Sequence, residues 1–501
     1  MPYLAQSPPG TREVSYTKSC RLSGDKHVKA SGVSSVRTTA AFKAPASIPR
    51  TSREPLRPDE LLIVVIAHNR PDCLDKCLNG LSELDEIQNF RIAVSLDEPA
   101  AFTNMDAAVR KHSSKLQVEI WHKIKFVGDR PPMQPKTPVS KISEHFRFAL
   151  QESFGRHSFE FAVFLENDLL VAPDFLWLFR ASAWLLKEDP TLFCVSAWND
   201  NGFEGLVSNQ TNLFRTDYFP GLGWMIHRST WGLIKEEWPR FPSTGWDHWL
   251  RHGSSLRPRE CVAPEVSRTH HFDTRGTNVR AGTPLAKKLN GMPFSRLPPR
   301  RLGDLSYLLH EPYEANLLQE MQKAHVIPPD AANLNKDQAY LVPFFRRDYK
   351  KLAQKFRLIE AQPRTAHRGV ILARDPQSGA RVYLADRMKS NDLLPSGERA
   401  LPHPLRRVET AQPGESCSNL CTRIGMHCAD LELEFINDCA TLKKHFACQE
   451  GCGHQVGQEI PCFVHDVNKD TGKQCLVTDD AVPVCSASNA ATTRLCSCVP
   501  I

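Results

Sequence analysis

The stretch FAVFLENDLLVAPDFL, residues 161–176, is where the fold is decided. Phe161 to Leu165 is an unbroken apolar run, the pattern of a strand buried on both faces. It runs straight into Glu166, Asn167 and Asp168, after which apolar residues resume and Pro173 marks a turn. This arrangement suits the carboxyl end of a sheet strand, the edge at which open α/β sheets bind their ligands.

Outward from this stretch the chain alternates between strand and helix. LLIVVIA (61–67) reads as a buried strand, Asn69-Arg70-Pro71 as a turn, and the following residues as a helix. FRIAVSLDE (90–98) is a second strand that ends in Asp97. KISEHFRFALQESF (141–154) has helical periodicity, FLWLFRASAWLLKED (175–189) reads as a helix and LFCVSAWND (192–200) as a further strand. The alternation predicts an α/β fold with a mostly parallel sheet of Rossmann-like type. Three strands end in polar residues: His68-Asn69-Arg70, Asp97 and Glu166-Asn167-Asp168. An acidic residue two positions from an Asp can hold a hard divalent cation, although acidic strand ends are more often solvated turns.

The chain has 501 residues, 41% hydrophobic and 24% charged, and a net charge of +7. Its basic residues are scattered, with no nucleic-acid stripe interleaved with aromatics, and the charge suits anionic small molecules such as nucleotides. Residues 1–57, rich in Ser, Thr, Pro, Lys and Arg, read as a disordered stem or linker. The α/β pattern occupies 58–325. A small second lobe is expected at 326–386, including a hairpin at 368–386 that turns at Gln377-Ser378-Gly379. A Pro- and charge-rich linker (387–415) leads to a cysteine-rich module (416–501).

That module holds eleven cysteines, from Cys417 to Cys498, out of 16 in the chain. A segment so short builds little core and needs staples. Irregular spacing without a repeated CxxC pair favours disulfides over zinc. Because eleven is odd, one cysteine is free or pairs outside the module. Disulfides imply a secretory compartment, whereas neither a signal core nor an apolar stretch of bilayer length is visible in the sequence.

The words SAWNDNG (196–202), RTDYFPGLGWMI (215–226), GWDHWLR (245–251) and PEVSRT (264–269) follow the acidic triplet in order. Together they resemble the N-acetylglucosaminyltransferase I family, Golgi enzymes that add β-1,2-linked GlcNAc to mannose, over roughly residues 60–385. They also resemble the related protein O-mannose β-1,2-N-acetylglucosaminyltransferase. The resemblance implies a GT-A-type nucleotide-sugar fold, UDP-GlcNAc as donor, Mn2+ as cofactor, a mannose-bearing glycoprotein as acceptor and the Golgi lumen as location. Position by position, Arg70 would grip the donor phosphate, Asp97 and His145 would contact uracil and ribose, and Glu166 would contact sugar or ribose. Asp168 would ligate the metal and Asp247 would be the general base. Leu222 and Trp246 would line the sugar pocket. TRGTNVRAG (274–282), with Asn278, matches a loop that closes over the donor.

Two departures stand out. Asn167 occupies a donor-side position where the family has an acid, and His248 follows the base where the family has an Asp. The tail words ESCSNLCTRIGMHC and TTRLCSCVP resemble the cysteine-rich C-terminal segment of N-acetylglucosaminyltransferase V, which brings no catalytic residues and implies an accessory or structural role.

Taken alone, these residues also have plainer readings. Asp97 could cap a turn, His145 could be a core histidine, and Arg70 could be a solvated turn residue. Asp247 could be a structural acceptor, and Trp246 and Trp249 could simply pack. His270-His271 is weak evidence for a metal, and Asn209-Gln210-Thr211 is a glycosylation sequon. Two rival functions remain at this stage. One is the same transfer to O-linked mannose. The other is a non-catalytic sugar-binding protein, favoured by Asn167 and opposed by the joint retention of Glu166, Asp168 and Asp247.

Overall fold

The computed structural model describes residues 53–124, 137–239, 245–252, 254–273, 282–478 and 481–501. Most of the expected stem, and Asn278 with most of its loop, lie outside the described residues.

The opening stretch forms β4 (Phe161–Glu166), which pairs in parallel with β1 (Leu61–Ala67). All seven residues of β1 are buried. Leu61, Ile63, Val65 and Ala67 enter one apolar core, whereas Leu62, Val64 and Ile66 enter another on the opposite face. The same split sends Phe161, Val163 and Leu165 one way, and Ala162 and Phe164 the other. A strand covered on both sides can only be written as a continuous apolar run.

Around this pair lie β2 (Arg91–Leu96), β3 (Gln117–His122), β6 (Leu192–Ser196), β7 (Leu213–Thr216), β8 (Trp224–His227) and β9 (Glu260–Pro264), in the order β3-β2-β1-β4-β8-β6-β9-β7. The sheet is more mixed than the sequence reading expected. Strands β3, β2, β1 and β4 are parallel, as are β6 and β9, but β8 runs against both its neighbours and β7 against β9. The edge strand β3 was not foreseen, because its sequence QVEIWH mixes polar and apolar residues and only Trp121 is buried. Short β5 (Leu169–Val171) pairs antiparallel with β10 (Thr269–His271) in a separate ladder.

Residues 51–501 cluster as one compact unit. Its second sheet joins β11 (His325–Val326), β12 (Ala339–Phe344), β13 (Val370–Arg374) and β14 (Arg381–Asp386). β13 and β14 form the antiparallel hairpin read from the sequence. A buried chain of charges ties the two sheets together. Arg215 of β7 is fully buried and bonds Glu260 and Asp189, each at 2.7 Å. Glu260 reaches His367 Nδ1 at 2.6 Å, and His367 Nε2 reaches Glu314 at 2.6 Å.

In the tail, five disulfides join Cys417–Cys496, Cys421–Cys498, Cys428–Cys485, Cys439–Cys452 and Cys448–Cys475. The odd cysteine is Cys462, buried and unbridged. Part of the expected linker is structured, since Arg407–Thr410 adds a strand against Thr492–Val499 of the tail. A sixth disulfide, unforeseen, joins Cys194 of β6 to Cys261 of β9. Only sheet pairing brings these two together, because 67 residues separate them in sequence. No helix among the described residues is long and apolar enough to cross a membrane.

Two outcomes are expected. In protein from an oxidising compartment, mass spectrometry without reduction should find those twelve cysteines bridged, and Cys73, Cys77 and Cys462 alkylated only after denaturation; stoichiometric zinc in their place would overturn the disulfide reading. The second concerns His367. Burial alone would lower its pKa, but Glu260 and Glu314 outweigh this and raise it to about 9 from 6.5. The folded value exceeds the unfolded one, so the stabilisation is complete below about pH 6.5 and is lost as pH rises through about 9. His367→Gln should therefore lower Tm most at the acidic end of that window, with the gap closing towards its upper end. A gap independent of pH would mean that the ring acts by packing alone.

Candidate active site

Register places the site. Ile66 lies opposite Ser95 on one side and Glu166 on the other, so the ends of β1, β2 and β4 fall in line. The residues beyond them form one rim. At the end of β1, Arg70 precedes the helix Pro71–Ser82. Its guanidinium divides between Asp168 Oδ2 at 2.8 Å and Asp273 Oδ2 at 2.6 Å. Asp273 also accepts from the Cys73 thiol at 2.9 Å. The β5–β10 ladder delivers this second carboxylate, because it lays the segment around His271 alongside Asp168, with the Phe272 N–H donating to the Asp168 carbonyl at 3.1 Å. His271 Nε2 stands 3.7 Å from Asp168 Oδ2.

Asn167 is buried, and its amide donates weakly to the Arg70 carbonyl at 3.4 Å. The acid found here in the family could not make that bond when ionised, since a carboxylate has no proton to donate.

Glu166 is partly buried. Burial, then Asp168, then Asp247 push its carboxyl up to about 8, against the pull of Arg70. Two acidic groups, one from its own strand end and one from a distant segment, therefore act on Glu166 at this rim, and the cluster is short of positive charge. His271, whose Nε2 is the atom nearer Asp168, has a buried Nδ1 with no hydrogen-bond partner among the described residues. A hard cation fits this chemistry, because a carboxylate oxygen and an imidazole nitrogen are both acceptable donors. No group of three or more His, Cys, Asp or Glu side chains among the described residues forms a complete cage. Most of the ligands to such a cation would have to come from substrate and water.

Asp97, at the end of β2, accepts from His68 Nδ1 at 2.7 Å and lies 3.4 Å from His145 Nδ1. Burial pushes the Asp97 carboxyl up, but His145 and His68 together bring it below its ordinary value. His145 comes from the helix Pro138–Gln151, and its Nε2 is bonded to Ser95 Oγ at 2.9 Å. The ring is buried, which lowers its pKa despite Asp97. With both nitrogens engaged, His145 orients Asp97 from behind.

Trp246 lies in an aromatic core. Its ring centroid is 4.3 Å from that of Phe146, and it stacks on Trp224 and Trp238 at 5.5 Å each. It is 7% exposed, so what it contributes to the site is a fixed anchor for the helix Trp246–His252. Asp247 opens that helix and pairs with Arg251 one turn on, at 2.7 Å. Gly245 makes room for it: φ is +106° there, and an added Cβ would stand 2.6 Å from Asp247 Oδ1. Leu222 is partly buried between Gly221 and Gly223, and all three have positive φ, 46° at Leu222 itself. A bulky residue held in this region costs of order 1–3 kcal/mol and persists where neighbours over-determine it. Here Ser196 bonds the Gly221 carbonyl at 2.9 Å and Thr269 bonds the Leu222 carbonyl at 2.6 Å.

Asp273, His271 and Ser95 were not read from the sequence as site residues. The only signal was the His270-His271 pair, set aside because adjacent histidines in an irregular segment carry little weight. Nothing local marks Asp273 or Ser95.

Residues 13–396 match the model of the GNT-I family. The alpha-1,3-mannosyl-glycoprotein 2-beta-N-acetylglucosaminyltransferase of Arabidopsis thaliana is 31% identical over 354 residues, covering 64% of this chain and 73% of the relative. Solved structures that superpose in part include S. aureus TarS 1-349 in complex with UDP-GlcNAc, at 15% identity and TM-score 0.30, covering 43% of this chain and 59% of that one. Another is the mannosyltransferase PcManGT from Pyrobaculum calidifontis in complex with GDP-Man and Mn2+, at 16% identity and TM-score 0.27, covering 42% and 58%. The chain thus spans less than two thirds of these solved chains. The family model covers well over half of the sequence, together with every rim residue described above, and the chain belongs to the GNT-I family.

Proposed function

We propose that the protein is an inverting β-1,2-N-acetylglucosaminyltransferase that moves GlcNAc from UDP-GlcNAc to the 2-hydroxyl of a mannose on a glycoprotein N-glycan. The observation that carries this reading is a rim on which Glu166 feels both Asp168 and Asp247 while Arg70 pairs with Asp168. Two of these acids end a strand and the third opens an aromatic-anchored helix, and all lie within the residues matched by the GNT-I family model. The Arabidopsis relative is, by its printed name, an alpha-1,3-mannosyl-glycoprotein 2-beta-N-acetylglucosaminyltransferase.

Each residue then has a task. Arg70 presents a planar, two-armed donor suited to a diphosphate. Its arms hold Asp168 and Asp273. Asp97, set by His68 and His145, offers an acceptor for the nucleoside. Asp168, with His271 beside it, would hold Mn2+. When bound, that ion supplies positive charge that stabilises the departing diphosphate. Asp247 takes the proton from the mannose 2-hydroxyl as its oxygen attacks the anomeric carbon. Arg251 keeps the Asp247 carboxylate in place. The strained turn at Leu222 borders the sugar pocket. Six disulfides suit an oxidising lumen, and the Golgi is the compartment proposed.

Product analysis tests the reading, with UDP-GlcNAc, Mn2+ and paired N-linked and O-linked mannosyl acceptors. β-1,2-GlcNAc on the N-linked acceptor is expected; transfer only to the O-linked one would move the acceptor assignment. No transfer and no UDP release would favour a binding protein. Asp247→Asn should lower kcat by about 100- to 10,000-fold, the usual worth of a general base, and leave donor affinity by calorimetry nearly unchanged. Loss of donor affinity would place Asp247 in the donor site instead. Asp168→Asn should abolish the Mn2+-dependent part of turnover, and undiminished Mn2+ dependence would remove Asp168 from that role. Arg70→Lys, which keeps the charge but loses the fork, should raise the donor Kd; an unchanged value would assign the phosphate to another residue.

A further inference from the structure

The sequence contains one Asn-X-Ser/Thr triplet, Asn209-Gln210-Thr211, and the proposed transfer makes no use of it. It lies in the turn just before β7, with Asn209 exposed. The Asn209 side-chain carbonyl accepts from the Thr211 N–H at 3.0 Å and from the Thr211 hydroxyl at 2.8 Å. The oxygen of the amide is therefore engaged within the turn, and its nitrogen takes no part in these two bonds. Glu265 fixes the turn from behind. Its Oε1 accepts from the N–H groups of Ser208 and Asn209 at 2.9 and 3.0 Å, and its Oε2 from the Asn212 amide at 3.0 Å. On the adjoining side the chain borders a cavity of about 480 Å³, to whose lining Val207 and Asn212 belong.

We propose that Asn209 carries an N-linked glycan. The second support is independent of the turn. A chain with six disulfides is suited to the secretory pathway, where N-glycosylation of Asn-X-Ser/Thr takes place. The co-reactant is a lipid-diphosphate-linked oligosaccharide, handled by the cell's own transferring enzyme. The Asn209 Nδ2 attacks its anomeric carbon and a C–N bond forms. The C–O bond to the diphosphate breaks, the lipid diphosphate leaves with the electron pair, and Nδ2 gives up one proton to a base of that enzyme. The inference rests on the secretory placement proposed above and not on the transfer reaction. It places the sugar on an exposed turn at the rim of the cavity.

The full chain is produced through the secretory route of a eukaryotic cell and treated with peptide N-glycosidase in 18O-labelled water. One mobility step and a labelled Asp in the peptide that held Asn209 are expected. Asn209→Gln and Thr211→Ala should each abolish the step, whereas Thr211→Ser should retain part of it. If either variant is not secreted, the mass of the parent peptide decides alone. Bridged tail cysteines with an unmodified Asn209 peptide overturn this proposal and leave the secretory placement standing. Free tail cysteines with an unmodified Asn209 overturn both.

Discussion

The Arg70 guanidinium holds two carboxylates, Asp168 and Asp273, that lie 98 and 203 residues away in the chain. The rim of the sheet is organised around this double pair. Burial, with the charges of Asp168 and Asp247 adding to it, raises the Glu166 carboxyl to about 8. Like charges gathered on a half-buried rim are costly unless a cation offsets them. Arg70 supplies that charge from within the chain, pairing with Asp168 and Asp273.

The Asp247 side of the rim is built by different means. Asp247 is placed by packing, since Trp246 is wedged among Phe146, Trp224 and Trp238. Aromatic pairs of this kind contribute about 0.5–1.5 kcal/mol each beyond their buried area, so the start of the helix is held firmly. The positive φ of Leu222 is the backbone counterpart. Strain of this sort survives only in a rigid frame, and here the frame comes from the aromatic core and the bonds of Ser196 and Thr269.

Away from the rim, the fold is joined by buried ions and sulfur bridges. Arg215, Glu260, His367 and Glu314 link the large sheet to the smaller one. Buried ion pairs of this kind contribute little net stability over apolar packing, yet removing one partner is strongly destabilising. They therefore fix which surfaces meet more than how tightly. The tail relies on disulfides because its apolar core is small and is itself made largely of cysteine.

By itself the sequence determined the pieces whose signal is local. The continuous apolar runs of β1 and β4 marked strands buried on both faces, and the polar residues after them marked the rim. The hairpin of the second sheet and the oxidised character of the tail followed from turn residues and from cysteine number and spacing. The motif words carried the family. Other features were settled only by tertiary structure: the β5–β10 ladder that brings Asp273 and His271 to Asp168, the Cys194–Cys261 bridge, the antiparallel placing of β8, and the anchoring role of Trp246. Each depends on pairing between segments far apart in the chain. Strand register and packing choose such partners by complementarity across the whole sheet, and no short stretch of sequence records that choice.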